Sequence, residues 1–188
     1  MSKEDKSSTR SITPLFRASY ANIFRPRASE EGKKAKFSIC MLFPKKDPKV
    51  REYLKGLKAQ CEAIAKANCP KGIPKSVNVW PLRDGDTERE GEEFKGMYFL
   101  NSGTYRRPGV VDKDLNPILD EEEFYSGCWA RATVNPYWYD SNGNKGVAIG
   151  LNNLQKMRDD DALSGGTSAE EDFGGDGTRA ASDDEDLL

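Results

Sequence analysis

Trp129, Arg131 and Tyr137 share one side of a strand-like stretch, and those residue types together can hold a nucleic acid. From Gly127 to Tyr139 small apolar residues alternate with larger polar and aromatic ones. Period-two alternation puts Cys128, Ala130, Ala132 and Val134 on one face and Trp129, Arg131, Thr133, Asn135 and Tyr137 on the other. The first face suits a core. The second interleaves rings with a guanidinium. An aromatic ring stacks on a base for roughly 1–3 kcal/mol, whatever the base, and a cation between rings can neutralise a phosphate. The partner run, Val147 to Leu151, sends Val147, Ile149 and Leu151 inward. Ala148, Gly150 and Asn152 then leave low relief on the outer face. The competing reading is that Trp129 and Tyr137 cap a barrel end, because aromatics fill cores more often than they serve ligands. Trp138 falls on the inward face.

Cations recur beside aromatics elsewhere. Arg106 and Arg107 follow Tyr105; Lys45 and Lys46 follow Phe43; Arg25 and Arg27 follow Tyr20 and Phe24. Lys33, Lys34 and Lys36 precede Phe37, and Lys145 lies in the turn after Tyr139. Any one such pair reads as a solvated loop, but their recurrence at strand ends points to phosphates. The charge distribution agrees. Asp159 to Leu188 holds eleven acidic residues and one basic residue, Arg179, so residues 1–158 keep 20 acidic against 28 basic. A body near +8 thus precedes a tail near −10, although the whole chain is only −2. Such asymmetry suggests a nucleic-acid surface beside an acidic interaction segment.

Other chemistries fit poorly. The chain has no histidine, which removes the commonest general base and the Ser-His and Cys-His pairs. Cys40, Cys61, Cys69 and Cys128 are dispersed without CxxC spacing, so reduced buried thiols are expected and no zinc site. Asp112, Asp114, Asn116, Asp120 and Glu123 imitate a calcium loop, but Pro117 stands where that loop needs glycine. Asp84, Asp86, Glu88, Glu90, Glu92 and Glu93 could hold Mg²⁺ in a nuclease, yet acids gathered in one polar loop are usually just solvated. No phosphate-binding glycine loop is present. No run reaches the ~18–20 apolar residues of a membrane helix, and the first residues lack the apolar stretch of a signal peptide. An intracellular protein is expected.

These residues need elements to position them. Residues 1–11 read as a disordered arm, 12–158 as one domain and 159–188 as a disordered acidic tail. Strands are expected over Ser19–Phe24, Lys36–Phe43, Val77–Leu82 and Gly96–Ser102, with a hairpin of Gly127–Tyr139 and Val147–Leu151 around Asn142-Gly143. Val50, Leu54, Leu57, Cys61, Ile64 and Ala65 predict one amphipathic helix over Val50–Asn68. Asp84–Glu93 is expected to be a loop, and Asn152–Met157 to close the domain. The fold class is mainly β with one amphipathic helix: an OB-fold-like five-stranded barrel plus a disordered acidic C-terminal tail.

Three segments carry a family resemblance: FSICMLFPKK (Phe37–Lys46), YRRPGVVD (Tyr105–Asp112) and NPYWYDSNGNKGVAIGLNNLQKM (Asn135–Met157). They resemble the bacteriophage single-stranded DNA-binding proteins grouped as DUF2815, over about residues 12–163, most specifically at GVAIGLNNLQK. The resemblance implies an OB-fold that coats single-stranded DNA in phage replication or recombination. It implies no enzymatic activity, no cofactor, no metal and no membrane, in the cytoplasm of an infected bacterium. It also implies contacts from the acidic tail to replication or recombination proteins, and it leaves self-association on DNA open. In this chain those contacts would fall to Asp183, Asp184, Glu185, Asp186, Leu187 and Leu188. Many such tails end in an aromatic residue and this sequence ends in Leu187-Leu188, so docking by a terminal phenylalanine does not carry over. The rival readings are a metal-dependent nuclease and a protein-interaction module without nucleic acid.

Overall fold

The computed structural model of the chain describes residues 9–163. The tail residues Asp183–Leu188 and most of the expected arm therefore lie outside the described residues. Strands dominate: β1 (Ser11–Ile12), β2 (Phe16–Arg27), β3 (Lys36–Pro44), β4 (Arg83–Asp84), β5 (Met97–Thr104), β6 (Gly109–Val111), β7 (Trp129–Ser141) and β8 (Asn144–Arg158). One long helix, α1 (Pro48–Asn68), follows β3, and a single turn, α2 (Gly85–Glu88), follows β4. Among the described residues no helix is long and apolar enough to cross a membrane.

Five of the strands close on themselves. β2 pairs antiparallel with β3, β3 with β5, β7 with β8 and β7 with β2, while β5 meets β8 in parallel. This is the mainly β, OB-fold-like ring expected from the sequence, with β1, β4 and β6 added at its margins. Two of its junctions are short. β5 meets β8 at one pair, Gly103 and Gly150. β7 meets β2 at two, Phe16 with Ala130 and Arg17 with Trp129.

The strand interior and α1 share one core. Phe16, Ile39, Met41, Phe43, Leu100, Val134 and Leu154 point inward and are buried. α1 begins because Asp47 accepts the Lys49 backbone N–H at 2.9 Å and Pro48 fits the first helical position. Its buried stripe is Val50, Leu54, Leu57, Cys61 and Ala65, as the spacing predicts. It ends where the Cys69 N–H reaches the Ala65 carbonyl, before Pro70. Burial pushes the Cys40 thiol up to about 12 and those of Cys61 and Cys128 to about 11, so these three stay protonated and unreactive.

The hairpin is tighter than expected. Asn142 (φ 51°) and Gly143 (φ 87°) alone form the turn, both in the left-handed region that a type I′ turn demands. The strands consequently run on, and Asn152–Met157 belongs to β8 rather than to a separate closure. Val77–Leu82 is not a strand. Proline at 74 and 81 restricts it, and only Asn78 bridges, to Gly146.

Asp84–Glu93 is more ordered than a loop. With the 3₁₀ turn Glu92–Phe94 it roofs a second apolar cluster of Cys40, Leu42, Phe94 and Phe99. Lys45 Nζ fastens it, 2.5 Å from Asp84 and 2.6 Å from Asp86. Gly85 sits where a Cβ would lie 2.3 Å from the Phe94 carbonyl oxygen and 2.7 Å from that of Met97. Gly85→Ala should therefore cost roughly 1–3 kcal/mol by overpacking, read as a lower urea midpoint with an unchanged slope.

The boundaries drawn from composition shift at both ends. Ser11 and Ile12 pair with Val134 and Thr133 of β7, so the fold starts before residue 12. At the other end Asp159 to Leu163 pack back on the body. The Leu163 N–H reaches the Ser126 carbonyl at 2.8 Å and Arg17 donates to the Asp161 carbonyl at 2.7 Å. Composition misses this because Asp159, Asp160 and Asp161 look like solvent-exposed tail.

Candidate nucleic-acid interface

The outward residues of β3 and β5 make the floor of a groove of about 660 Å³. Strand alternation and register select them: Ser38 lies opposite Gly103 and Cys40 opposite Asn101. Ala148 of β8 and Tyr137 and Tyr139 of β7 complete one wall; Tyr20, Lys36, Tyr105 and Arg89 stand around the rest. The floor is low because its residues are small. At Gly150 a Cβ would lie 3.2 Å from Asn135 Oδ1 and at ordinary van der Waals distance, 3.5 Å, from the Tyr137 ring.

Three tyrosines are exposed far beyond the usual for large aromatic residues: Tyr20 at 62%, Tyr105 at 61% and Tyr137 at 46%. All three line this one groove. Tyr20 is also strained. It has φ 45°, in a break of the β2–β3 register between Ser19 and Asn22. For a bulky residue such a backbone costs on the order of 1–3 kcal/mol and persists only where the surroundings impose it. Here the Ala21 N–H bonds to Ser126 Oγ at 3.2 Å and the Asn22 amide to the Tyr20 carbonyl at 3.2 Å. The bulge turns the ring out at the groove mouth.

Cations complete the groove. Lys34 Nζ stands 4.8 Å from the centre of the Tyr105 ring, and Lys36 is exposed at the rim. Arg89 lies over Phe94 and Phe99, with its guanidinium 5.6 and 5.3 Å from the ring centres. Partial burial, then Tyr105 and Tyr139, hold the Tyr137 hydroxyl above its ordinary range, so it remains a neutral donor. The groove offers flat rings, positive charge and polar floor atoms.

The structure gathers only part of the residue set drawn from the sequence. Lys36, Tyr105 and Tyr137 meet in the groove. Arg106 and Arg107 follow Tyr105 and are exposed, Arg107 beside an apolar cleft with Phe24 and Leu119. Arg25 is paired with Glu121 at 2.7 Å, and Arg27 is exposed at the same end of β2. Lys45 is committed to Asp84 and Asp86, Lys145 pairs with Asp140 at 3.3 Å, and Lys46 is exposed in the turn before α1. Arg131 donates to Gln155 at 2.6 Å. Trp129 shares the outward face of β7 with Tyr137 but stands eight residues away, roughly 26 Å along a strand. Arg89, Asn101 and Tyr139 lie outside the sequence reading of the interface altogether, whereas Tyr20 and Lys34 stand in its cation–aromatic runs but not among its site residues. Strand order would have revealed Asn101, since β3 and β5 adjoin throughout their length.

Several of the acids considered for metal binding are engaged otherwise. Lys45 holds the Asp84 and Asp86 carboxyls below their ordinary range. Asp112 accepts the backbone N–H groups of Asp114 and Asn116, each at 2.9 Å, and so shapes its own turn. Among the described residues no three His, Cys, Asp or Glu side chains come together as a metal site.

Residues 9–188 match the family described as the ssDNA-binding protein of Enterobacter phage Enc34. The putative protein p50 of Acyrthosiphon pisum secondary endosymbiont phage 1 is 40% identical over 95 residues, which is half of this chain and half of that one. The ssDNA-binding protein of bacteriophage Enc34, solved in complex with ssDNA, superposes with a TM-score of 0.74 at 25% identity, covering 84% of this chain and 90% of that one. The bacteriophage T7 single-stranded DNA-binding protein gp2.5 shares the fold at a TM-score of 0.61 and 17% identity, over 89% and 98% of the two chains.

Proposed function

The chain belongs to the family of the Enterobacter phage Enc34 ssDNA-binding protein, and from that membership we propose that its tyrosine-lined groove binds single-stranded DNA. Tyr20, Tyr105 and Tyr137 stack on bases, while Lys34, Lys36 and Arg89 meet phosphates. The observation that carries this reading is the convergence of three exposed tyrosines on one groove with cations around its rim. Stacking does not distinguish bases strongly, so the protein coats DNA with little sequence preference and performs no chemistry on it.

It acts in replication, recombination or repair of phage DNA in the cytoplasm of the infected bacterium. The acidic segment through Asp183, Asp184, Glu185, Asp186, Leu187 and Leu188 contacts partner proteins and competes with DNA for the basic groove. Arg106, Arg107 and Arg27 extend the positive rim. Lys45, Lys145 and Arg25 contribute less, since each already faces a carboxylate.

The test is intrinsic fluorescence during titration with oligo-dT at several salt concentrations, with duplex DNA as competitor. Binding that weakens with salt and resists duplex is expected. Lys36→Met should weaken it and reduce the salt slope by about 0.7, the value for one phosphate neutralised on a single strand. An unchanged slope would remove Lys36 from the phosphate path, and no binding by the wild type would end the reading.

A further inference from the structure

Resting on the groove reading above, we infer that Trp129, Arg17 and Arg158 form a second subsite for the same single strand, one that the chain's own Asp160 occupies until DNA displaces it. The outward face of β7 is continuous between the two places. Ala130, Ala132, Val134 and Pro136 are buried, and the residues between them face out from Tyr137 down to Trp129. A strand leaving the groove past Tyr137 thus has a path along β7, with exposed Arg131 on the way.

At the end of that path stands an anion site already holding an anion. The Trp129 indole N–H donates to Asp160 Oδ2 at 2.7 Å. The Arg17 guanidinium lies 3.7 Å from Asp160 Oδ1, and that of Arg158 sits 4.6 Å over the Trp129 ring. Beside them Lys156 pairs with Asp159 at 2.6 Å. A guanidinium, an ammonium and an indole N–H meet carboxylates that lie where a phosphate group would, with the second guanidinium over the indole. The indole presents a face for a base once Arg158 swings to the backbone.

The occupant is displaceable. The Asp160 side chain is 35% exposed and that of Asp159 73%. The cations beneath are more buried, Arg17 at 18% and Lys156 at 16%, but the exposed carboxylates leave each pair open to screening by salt, and a polyanion gains from releasing its own counterions. A short oligonucleotide fills the groove alone, and a longer one must displace Asp160 to gain the second contact.

The experiment compares the full-length wild type with Asp160→Asn and Arg158→Ala, each titrated with the shortest oligo-dT that binds and with one several times as long. Asp160→Asn, which keeps the shape and removes the charge, should tighten binding of the long oligonucleotide several-fold. Arg158→Ala should weaken it several-fold. Neither should alter the short one. In parallel, photo-crosslinking of the wild type to bromodeoxyuridine DNA should mark Trp129 with the long strand only, a readout that needs no variant to fold. Equal effects on both lengths, or no effect on either, or no Trp129 adduct with the long strand, would overturn the second subsite while short-strand binding left the groove standing. Wild-type failure to bind either length would overturn the groove and this inference together.

Discussion

Replacing Tyr105 and Tyr137 together by alanine is expected to cost roughly 2–6 kcal/mol of single-stranded DNA affinity, taking about 1–3 kcal/mol for each stacked base. Both rings already face solvent, so truncation opens no core cavity and the variant should fold. The control is phenylalanine at both positions. It keeps the ring and loses only the hydroxyl, so affinity should stay near wild type if stacking is the interaction. Fluorescence or anisotropy titrations at one fixed salt concentration decide the matter. A folded double-alanine variant that binds as tightly as wild type would exclude these rings from the contact. A phenylalanine variant as weak as the alanine one would mean that the hydroxyls, not the π-faces, hold the ligand.

The second large effect concerns the ring of strands rather than the groove. Phe16 is fully buried beside the short β2–β7 junction, and its side chain meets that of Phe43 edge to face, 5.7 Å between centres. Phe16→Ala should destabilise the protein by about 3–5 kcal/mol, the usual loss for a buried phenylalanine. At about 2–4 °C per kcal/mol in a domain of this size, the melting temperature should fall by roughly 6–20 °C. A loss below about 1 kcal/mol would mean that the junction closes without this side chain, through α1 and the rest of the core. Thermal and urea unfolding of the same variant give the answer by independent routes.

Where the chain announces its structure by periodicity, the sequence reading holds. α1 is legible because Val50, Leu54, Leu57, Cys61 and Ala65 repeat at helical spacing along its length. The hairpin is legible because Asn142-Gly143 divides two alternating runs. The strands of two and three residues, β1, β4 and β6, are too short to show any period. Closure of the ring is expected from five strands in a small domain, but where it closes is not legible, since the Gly103–Gly150 junction offers no side chains to pattern. The same division applies to the groove. Tyr137 follows from alternation, and Tyr105 and Lys36 from their places beside strand ends. Pairings across the chain do not follow. Nothing local tells that Lys45 meets Asp84 or that Arg25 meets Glu121, so their charges look free in the sequence. Tyr20 sits in a backbone break that alternation treats as a regular strand. The resemblance to phage single-stranded DNA-binding proteins points to the right kind of protein, and the family that matches is the one described by its Enc34 member.

The two short junctions of the ring divide it into shells. β2, β3 and β5 zip together along their lengths, as do β7 and β8; between the two groups the strand pairing of the described residues is limited to Gly103–Gly150 and to Phe16–Arg17 with Trp129–Ala130, beside the shared core and the bond from Ser102 Oγ to the Ile149 carbonyl. The groove lies across one of these seams, its floor on the first shell and its tyrosine wall on the second. The proposed DNA path crosses that seam, so DNA bound along it would join the two groups of strands from outside and add its binding energy to their stability.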